Sequence, residues 1–416
     1  MLEVFKGLTT KFEYNIIGLG VIKEAVMKFI HTSDWHIGKS IHEVNLLEDQ
    51  KAVLKKFLNI IDEEKPDAII IAGDLYDRGI PNKEAVNLLD DVLHEIVTIK
   101  QIPILCIAGN HDSGDRLEFA SRILKRNGLH IEGKFKKDVQ KIELQDSHGK
   151  VNFYLIPFAY ISEAGCILED ESIKSFDDTY NIILKKIEEE MNLEERNVIV
   201  THGYIVTDSE ALEVNDSVRP LAVGTSEYVN VEYFKNFDYT ALGHLHKPQK
   251  VEWEHVRYSG SLLKYSFSET NHNKGIVVVE MEEKGNITIR NISLTQDPEL
   301  RKIEGLLNDL ISADPNGEGL ATDYFMAILT DENPICDAIG QLRAVYPNIL
   351  RMEYKNRIMT EHQGSVVSLK IKEKKSETTL FQEFYQDMTG KELTKEKAKI
   401  VENVFQEMLI KDGELL

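Results

Sequence analysis

Five short polar motifs, each placed directly after an apolar run, constrain this chain more than any other feature. They are Asp34-x-His36, Gly73-Asp74-x-x-Asp77, Gly109-Asn110-His111-Asp112, Thr201-His202-Gly203 and Gly243-His244-x-His246. The runs before them, at 28–32, 68–73, 103–108, 196–201 and 238–243, are rich in β-branched residues and read as strands. They are continuously apolar rather than alternating, which means burial on both faces, as in α/β folds. Further strands fit 151–156, 255–260 and 275–281, and helical periodicity is clear at 46–64, 82–97, 115–127 and 178–192. The alternation predicts one layered α/β domain over 27–295. Open α/β sheets bind ligands beyond the carboxyl ends of their strands. The five motifs therefore converge on one place.

The residue types at that place suit two cations. Carboxylates are hard anions that can bridge a pair of ions, imidazoles are borderline donors, and a carboxamide oxygen is hard and neutral. A nitrogen and oxygen set without thiolate favours manganese, iron or zinc over copper(I) or calcium. Two ions about 3.5–4 Å apart can stabilise both the attacking and the leaving oxygen of an in-line displacement. Each motif taken alone is weak: Gly-Asp-x-x-Asp is a common turn and His-Gly a common loop. Their joint occurrence at the ends of successive strands carries the inference.

The rest of the chain bounds this reading. Its 416 residues suggest about three domains. The formal net charge is −21, so the chain repels phosphate at long range. Attraction for a nucleic acid would have to come from bound cations or a basic partner. Cys106, Cys166 and Cys336 are scattered, which indicates neither a disulfide framework nor a zinc knuckle and fits a reducing compartment. No apolar run reaches the ~20 residues of a membrane span. Residues 1–26 read as a leader or N-terminal extension ahead of Met27, since Lys23-Glu24-Ala25 can be encoded by a purine-rich run resembling a ribosome-binding site. Residues 296–372 read as a small α+β unit: helix 300–311, strand 324–330, helix 334–345, strand 349–355 and a last strand at 366–372. A charged linker and two amphipathic helices, 378–388 and 395–410, fill 373–416.

Longer stretches carry a resemblance. Thr32-Ser33-Asp34-Trp35-His36-Ile37-Gly38, Ala72-Gly73-Asp74-Leu75-Tyr76-Asp77-Arg78, Ala241-Leu242-Gly243-His244-Leu245-His246 and Tyr258-Ser259-Gly260-Ser261 resemble the calcineurin-like metallophosphoesterase superfamily and, within it, the SbcD nuclease subunits of bacteria. The resemblance implies an αββα sandwich with a small α+β capping domain and a C-terminal helical tail. It implies a cytoplasmic, two-metal-dependent DNA nuclease, most often with manganese, that trims double-stranded ends and opens hairpins. The partner would be an SbcC-type coiled-coil ATPase, bound to a homodimer of nuclease subunits in a heterotetramer and docked by the C-terminal helices. One metal would be held by Asp34, His36, Asp74 and His246, the other by Asp74, Asn110, His202 and His244, with Asp74 bridging. His111 would donate to a phosphate or leaving-group oxygen, and Asp77 would orient its ring or cap the following helix. Trp35 is expected as a packed wall of the site and His31 as a core histidine. A small-molecule phosphatase or cyclic-nucleotide phosphodiesterase on the same scaffold, and a metal-bound docking scaffold, are the alternatives.

Overall fold

The computed structural model describes residues 26–207, 228–295, 297–312 and 322–355, with 381, 385, 394, 397–399 and 401 beyond them. Residues 1–25 of the expected leader, the strand at 366–372 and most of both C-terminal helices lie outside the described residues. The chain divides into two compact units, one of residues 1–327 and 337–352, the other of 328–336 and 353–416.

Two six-stranded sheets form the larger unit. In chain order their strands are β1 (Met27–Thr32), β2 (Ala68–Ala72), β3 (Ile104–Ile107), β4 (Leu129–Glu132), β5 (Gln140–Asp146), β6 (Gly149–Ile156), β7 (Arg196–His202), β8 (Tyr239–Gly243), β9 (Gln249–Val251), β10 (Trp253–Tyr258), β11 (Gly275–Met281) and β12 (Ile287–Ser293). The first sheet runs β12-β11-β1-β2-β3-β4 and the second β9-β10-β8-β7-β6-β5. Strands β1 to β4 are parallel, as are β6, β7, β8 and β10, while β5, β9, β11 and β12 pair antiparallel.

The sheets stack through Phe29, Ile70, Leu105, Phe153, Val198 and Tyr239. Phe29 meets Phe153 edge-on with centroids 5.6 Å apart, and Tyr239 at 5.5 Å. Burial of both faces explains the unbroken apolar runs. Helix α1 (Leu47–Glu64) buries Val53, Leu54, Phe57 and Ile61 on one stripe, and α2 (Lys83–His94) buries Ala85, Leu88, Leu89 and Val92. Helix α3 (Phe176–Glu190) covers the second sheet with Tyr180, Ile183, Leu184 and Ile187. Ser175 and Asp178 close a reciprocal capping box at its start. Arg196, fully buried, ties the sheets at one end by donating to Asp146 Oδ2 at 2.8 Å and to the carbonyl of Met281 at 3.0 Å.

Two expected helices are corrected. The 115–127 stretch is not one helix but short turns, Gly114–Leu117, Ser121–Leu124 and Lys125–Asn127, broken at Ala120 with φ 60°. The 300–311 stretch is a strand, Leu300–Gly305, followed by a short helix, Leu307–Ser312. That strand joins Tyr324–Leu329 and Ile349–Tyr354 in a three-stranded sheet with Tyr324–Leu329 in the centre. Within the smaller unit, the Ile335 amide donates to the Tyr354 hydroxyl at 2.8 Å. No described helix is long and apolar enough to cross a membrane.

Candidate metal centre

The motif loops at the ends of β1 and β2 are zipped together. The Asp34 amide donates to Gly73 O at 3.0 Å, the His36 amide to Asp74 O at 3.0 Å and the Ile37 amide to Leu75 O at 2.9 Å. The backbone of this region sits in the left-handed region at Asp34 (φ 54°), His36 (44°), Asp74 (53°) and His244 (111°). Such conformations cost on the order of 1 kcal/mol or more each for residues with a Cβ, and they persist where function needs the side chain aimed. Gly73, at φ 91°, leaves room that a Cβ would take from the His202 ring. A Cβ on Gly243 would collide with the Ala72 carbonyl oxygen, so this glycine sets how closely β8 approaches β2.

All seven expected ligand residues are buried, and they meet. His36 Nε2 lies 3.0 Å from His246 Nε2 and 3.6 Å from Asp74 Oδ2. His202 Nε2 lies 3.5 Å from the same Asp74 oxygen and 3.0 Å from Asn110 Oδ1, which is 3.3 Å from His244 Nδ1. Asp34, His36 and His246 have ligand atoms within 4.8 Å of one another, as do Asp34, Asp74 and His202. The His244 amide donates to both Asp34 oxygens, at 3.0 and 3.1 Å.

The donor set fits cations on its own chemistry. His202 Nδ1 must donate to Ala72 O at 2.9 Å, because a carbonyl only accepts. Its Nε2 then presents a lone pair to the Asn110 oxygen, and two acceptors at 3.0 Å are adverse in a way that a bound cation would relieve. Burial holds the His36, His202 and His244 rings below the ordinary imidazole range, so they are neutral and able to ligate. Burial, with Asp112 and Asp34 close by, pushes the Asp74 carboxyl well above the usual carboxylate range, a penalty that positive charge would cancel. His36 Nδ1 is buried without a hydrogen-bond partner.

His111 sits half-buried at the rim, edge-on to His36 with centroids 4.6 Å apart. Asp77 meets this ring through its backbone, and a carboxylate oxygen of Asp77 lies within 4.8 Å of a His111 ring nitrogen. His111 Nδ1 meets the backbone carbonyl of Asp77 at 2.8 Å, while the Asp77 carboxylate accepts from Lys39 Nζ at 2.8 Å. Asp77 does not cap a helix, since Asn82 caps α2 by accepting from the Ala85 amide at 2.8 Å. Arg78 points to solvent, with 81% of its side chain exposed. Trp35 is buried, donates to Thr32 Oγ1 at 2.9 Å and meets Phe57 edge-on, so it is a wall and offers no stacking face. His31 is a buried core histidine, 2.9 Å from the Tyr239 hydroxyl, with its ring pushed down to about 3 by burial.

Three further residues support the centre: Asp112, the last residue of the third motif, and Glu269 and Lys274, which belong to no motif. Asp112 accepts from the amides of Leu75, Tyr76 and Gly109 at 3.0–3.1 Å and so ties the second motif to the third. Glu269 Oε1 lies 3.2 Å from His246 Nδ1, and Lys274 is buried against Glu269. Burial would raise the Glu269 carboxyl, but the Lys274 ammonium and the His246 ring together outweigh it and hold the group far below the usual range.

Known proteins resemble this chain over most of its length. The calcineurin-like phosphoesterase family model matches residues 27–248, and the type 5 capsule protein repressor C-terminal domain (SbcD_C) matches 298–389. The SbcD subunit of the SbcCD nuclease of Staphylococcus epidermidis is 34% identical over 387 residues, 93% of this chain and 100% of that protein. Its counterpart in Staphylococcus saprophyticus subsp. saprophyticus is 34% identical over 390 residues, 92% of this chain and 99% of that one. Among solved structures, a dimetal phosphatase from Danio rerio is 12% identical, with a TM-score of 0.40 over 65% of this chain and 97% of that one. The chain belongs to the calcineurin-like phosphoesterases, in the branch of the SbcD nuclease subunits.

Proposed function

We propose that the chain is the metal-dependent nuclease subunit of an assembly with an SbcC-type ATPase, hydrolysing DNA phosphodiesters at double-stranded ends and hairpins. The observation that supports it most is the meeting of seven candidate ligands, with Asp74 Oδ2 3.6 and 3.5 Å from His36 and His202. Asp34, His36, Asp74 and His246 would hold one cation, and Asp74, Asn110, His202 and His244 the other. Two divalent cations there, manganese as the resemblance implies, would supply Lewis acidity and offset charge on both the attacking and the leaving oxygen.

The protein's part is positioning and proton movement. Asp74 Oδ1 accepts from the His111 amide at 2.8 Å, so the bridging carboxylate and the rim histidine are placed together. With Nδ1 turned to the Asp77 carbonyl, Nε2 is the His111 nitrogen that would serve the substrate. A protonated ring there donates to a phosphate oxygen or to the departing sugar hydroxyl.

Two assembly features go with this reading. The broken helical segment after the third motif exposes Phe119 at 80% and Ile123 at 69%, an apolar pair suited to a homodimer contact. Residues 373–416 dock the ATPase, which also supplies the basic surface that a chain of net charge −21 lacks. The test is cleavage of an end-labelled duplex and a hairpin in manganese, with and without the ATPase. Metal-dependent cleavage stimulated by the ATPase is expected. Hydrolysis confined to small phosphate esters under both conditions would refute the reading and favour a small-molecule phosphatase.

A further inference from the structure

The Tyr258-Ser259-Gly260-Ser261 motif lies beyond the ligand loops, and its hydrogen bonds run back into them. The Ser259 hydroxyl is 2.8 Å from Ser33 Oγ, which donates to Asp34 Oδ2. The Ser261 amide donates to the His246 carbonyl at 3.2 Å, and Ser261 Oγ accepts from Lys274 Nζ at 2.8 Å. Lys274 is itself buried. Its ammonium donates to His246 O at 2.7 Å, to Ser261 Oγ and to Glu269 Oε2, while the other Glu269 oxygen faces His246 Nδ1.

A buried ion pair is a poor stabiliser, because desolvation offsets most of its attraction. This pair has both ends turned on one histidine: the carboxylate on its ring, the ammonium on its backbone carbonyl. A carboxylate can only accept, so the proton of His246 is held at Nδ1 and the lone pair of Nε2 is left facing the centre, 3.0 Å from His36 Nε2.

Building on the metal-centre reading, we propose that Glu269 and Lys274 are positioning residues for His246. Together they fix its tautomer and orientation and thereby set the cation affinity of the position that His246 serves. The prediction for Glu269→Gln follows from the donors. An amide has one accepting end, and the Lys274 ammonium takes it. The amide nitrogen then faces His246 Nδ1 and selects the tautomer with its proton on Nε2, where it blocks a cation. Adding Lys274→Met removes the competitor and lets the amide oxygen turn back to His246.

The experiment titrates manganese into the purified full chain, stripped with chelator, by calorimetry and elemental analysis. Wild type should bind two equivalents. Glu269→Gln should weaken one of them roughly 10–100-fold and leave the other unchanged, and E269Q/K274M should regain most of the loss. The inference is overturned if E269Q binds both equivalents as wild type does, or if the double variant binds no better than the single one. In the metal-free wild-type chain, 15N NMR of the histidine rings, assigned with His246→Gln, should show His246 protonated at Nδ1. A proton at Nε2 refutes the proposal even if no variant folds. A wild-type chain that binds no cation refutes the metal centre itself, which separates the two failures.

Discussion

Asp74 divides its two oxygens between two tasks. Oδ1 accepts from the His111 amide, and Oδ2 lies between His36 and His202. Asp74→Asn removes the one anion shared by both proposed cation positions, so cleavage should fall to background and elemental analysis should find less than two metal equivalents. Retention of both metals with wild-type turnover would show that Asp74 does not bridge. His111 differs, because its ring holds no expected ligand position. His111→Leu should keep both metals and lose about 10²–10⁴ in turnover, the usual contribution of a positioned acid or base. Metal loss in that variant would make it a ligand. At this scale the motif residues were legible, because ligands must be Asp, His or Asn and sit at strand ends. Glu269 and Lys274 were not. Nothing in a lone sequence distinguishes a buried Glu–Lys pair from surface charge, and their partner His246 is more than 20 residues away.

Elements aim the site by close approach. The parallel pairing of β1 with β2 continues past both strand ends into the first two motifs, and β8 passes against Ala72 because Gly243 has no side chain. Gly73→Ala puts a Cβ at φ 91° and into the His202 ring. Strain of this kind costs about 1–3 kcal/mol, or several degrees of melting temperature in a unit of this size, and displaces His202. Thermal unfolding and manganese titration should show a lower melting temperature together with weaker binding of one equivalent. Unchanged values in both would mean that the loop has slack which the geometry does not suggest. The central strands were readable because burial on both faces leaves an apolar run. The edge strands β5 and β12 were missed because half-exposed strands carry charge on one side. The helix expected at 115–127 was misread because its periodicity survives a break at Ala120 that no proline or glycine announces.

At the scale of the whole molecule, the charge and the apolar pattern of the C-terminal sequence go with the proposed partner. A chain of net charge −21 cannot gather DNA by its own long-range field. Near its C-terminus the sequence carries two apolar stripes at helical spacing: Leu380, Phe381, Phe384, Tyr385 and Met388, then Ile400, Val401, Val404, Phe405, Met408 and Leu409. Among the described residues of this segment, Lys397 Nζ donates to the Tyr385 hydroxyl at 2.9 Å. Two stripes of this size, left to water, would favour aggregation, whereas a helix laid in an apolar groove of a partner buries them. None of the seven proposed ligands lies beyond residue 246, so the chemistry does not need this segment. Deleting residues 376–416 should therefore leave manganese-dependent hydrolysis of a small phosphodiester ester within about twofold of the full chain, while co-purification with the ATPase and the cleavage of duplex ends that depends on it are lost. Binding to the ATPase retained after the deletion would place the docking surface elsewhere on the chain. Loss of the small-ester activity would show that the segment supports the catalytic unit, and the assignment of a docking role would fall.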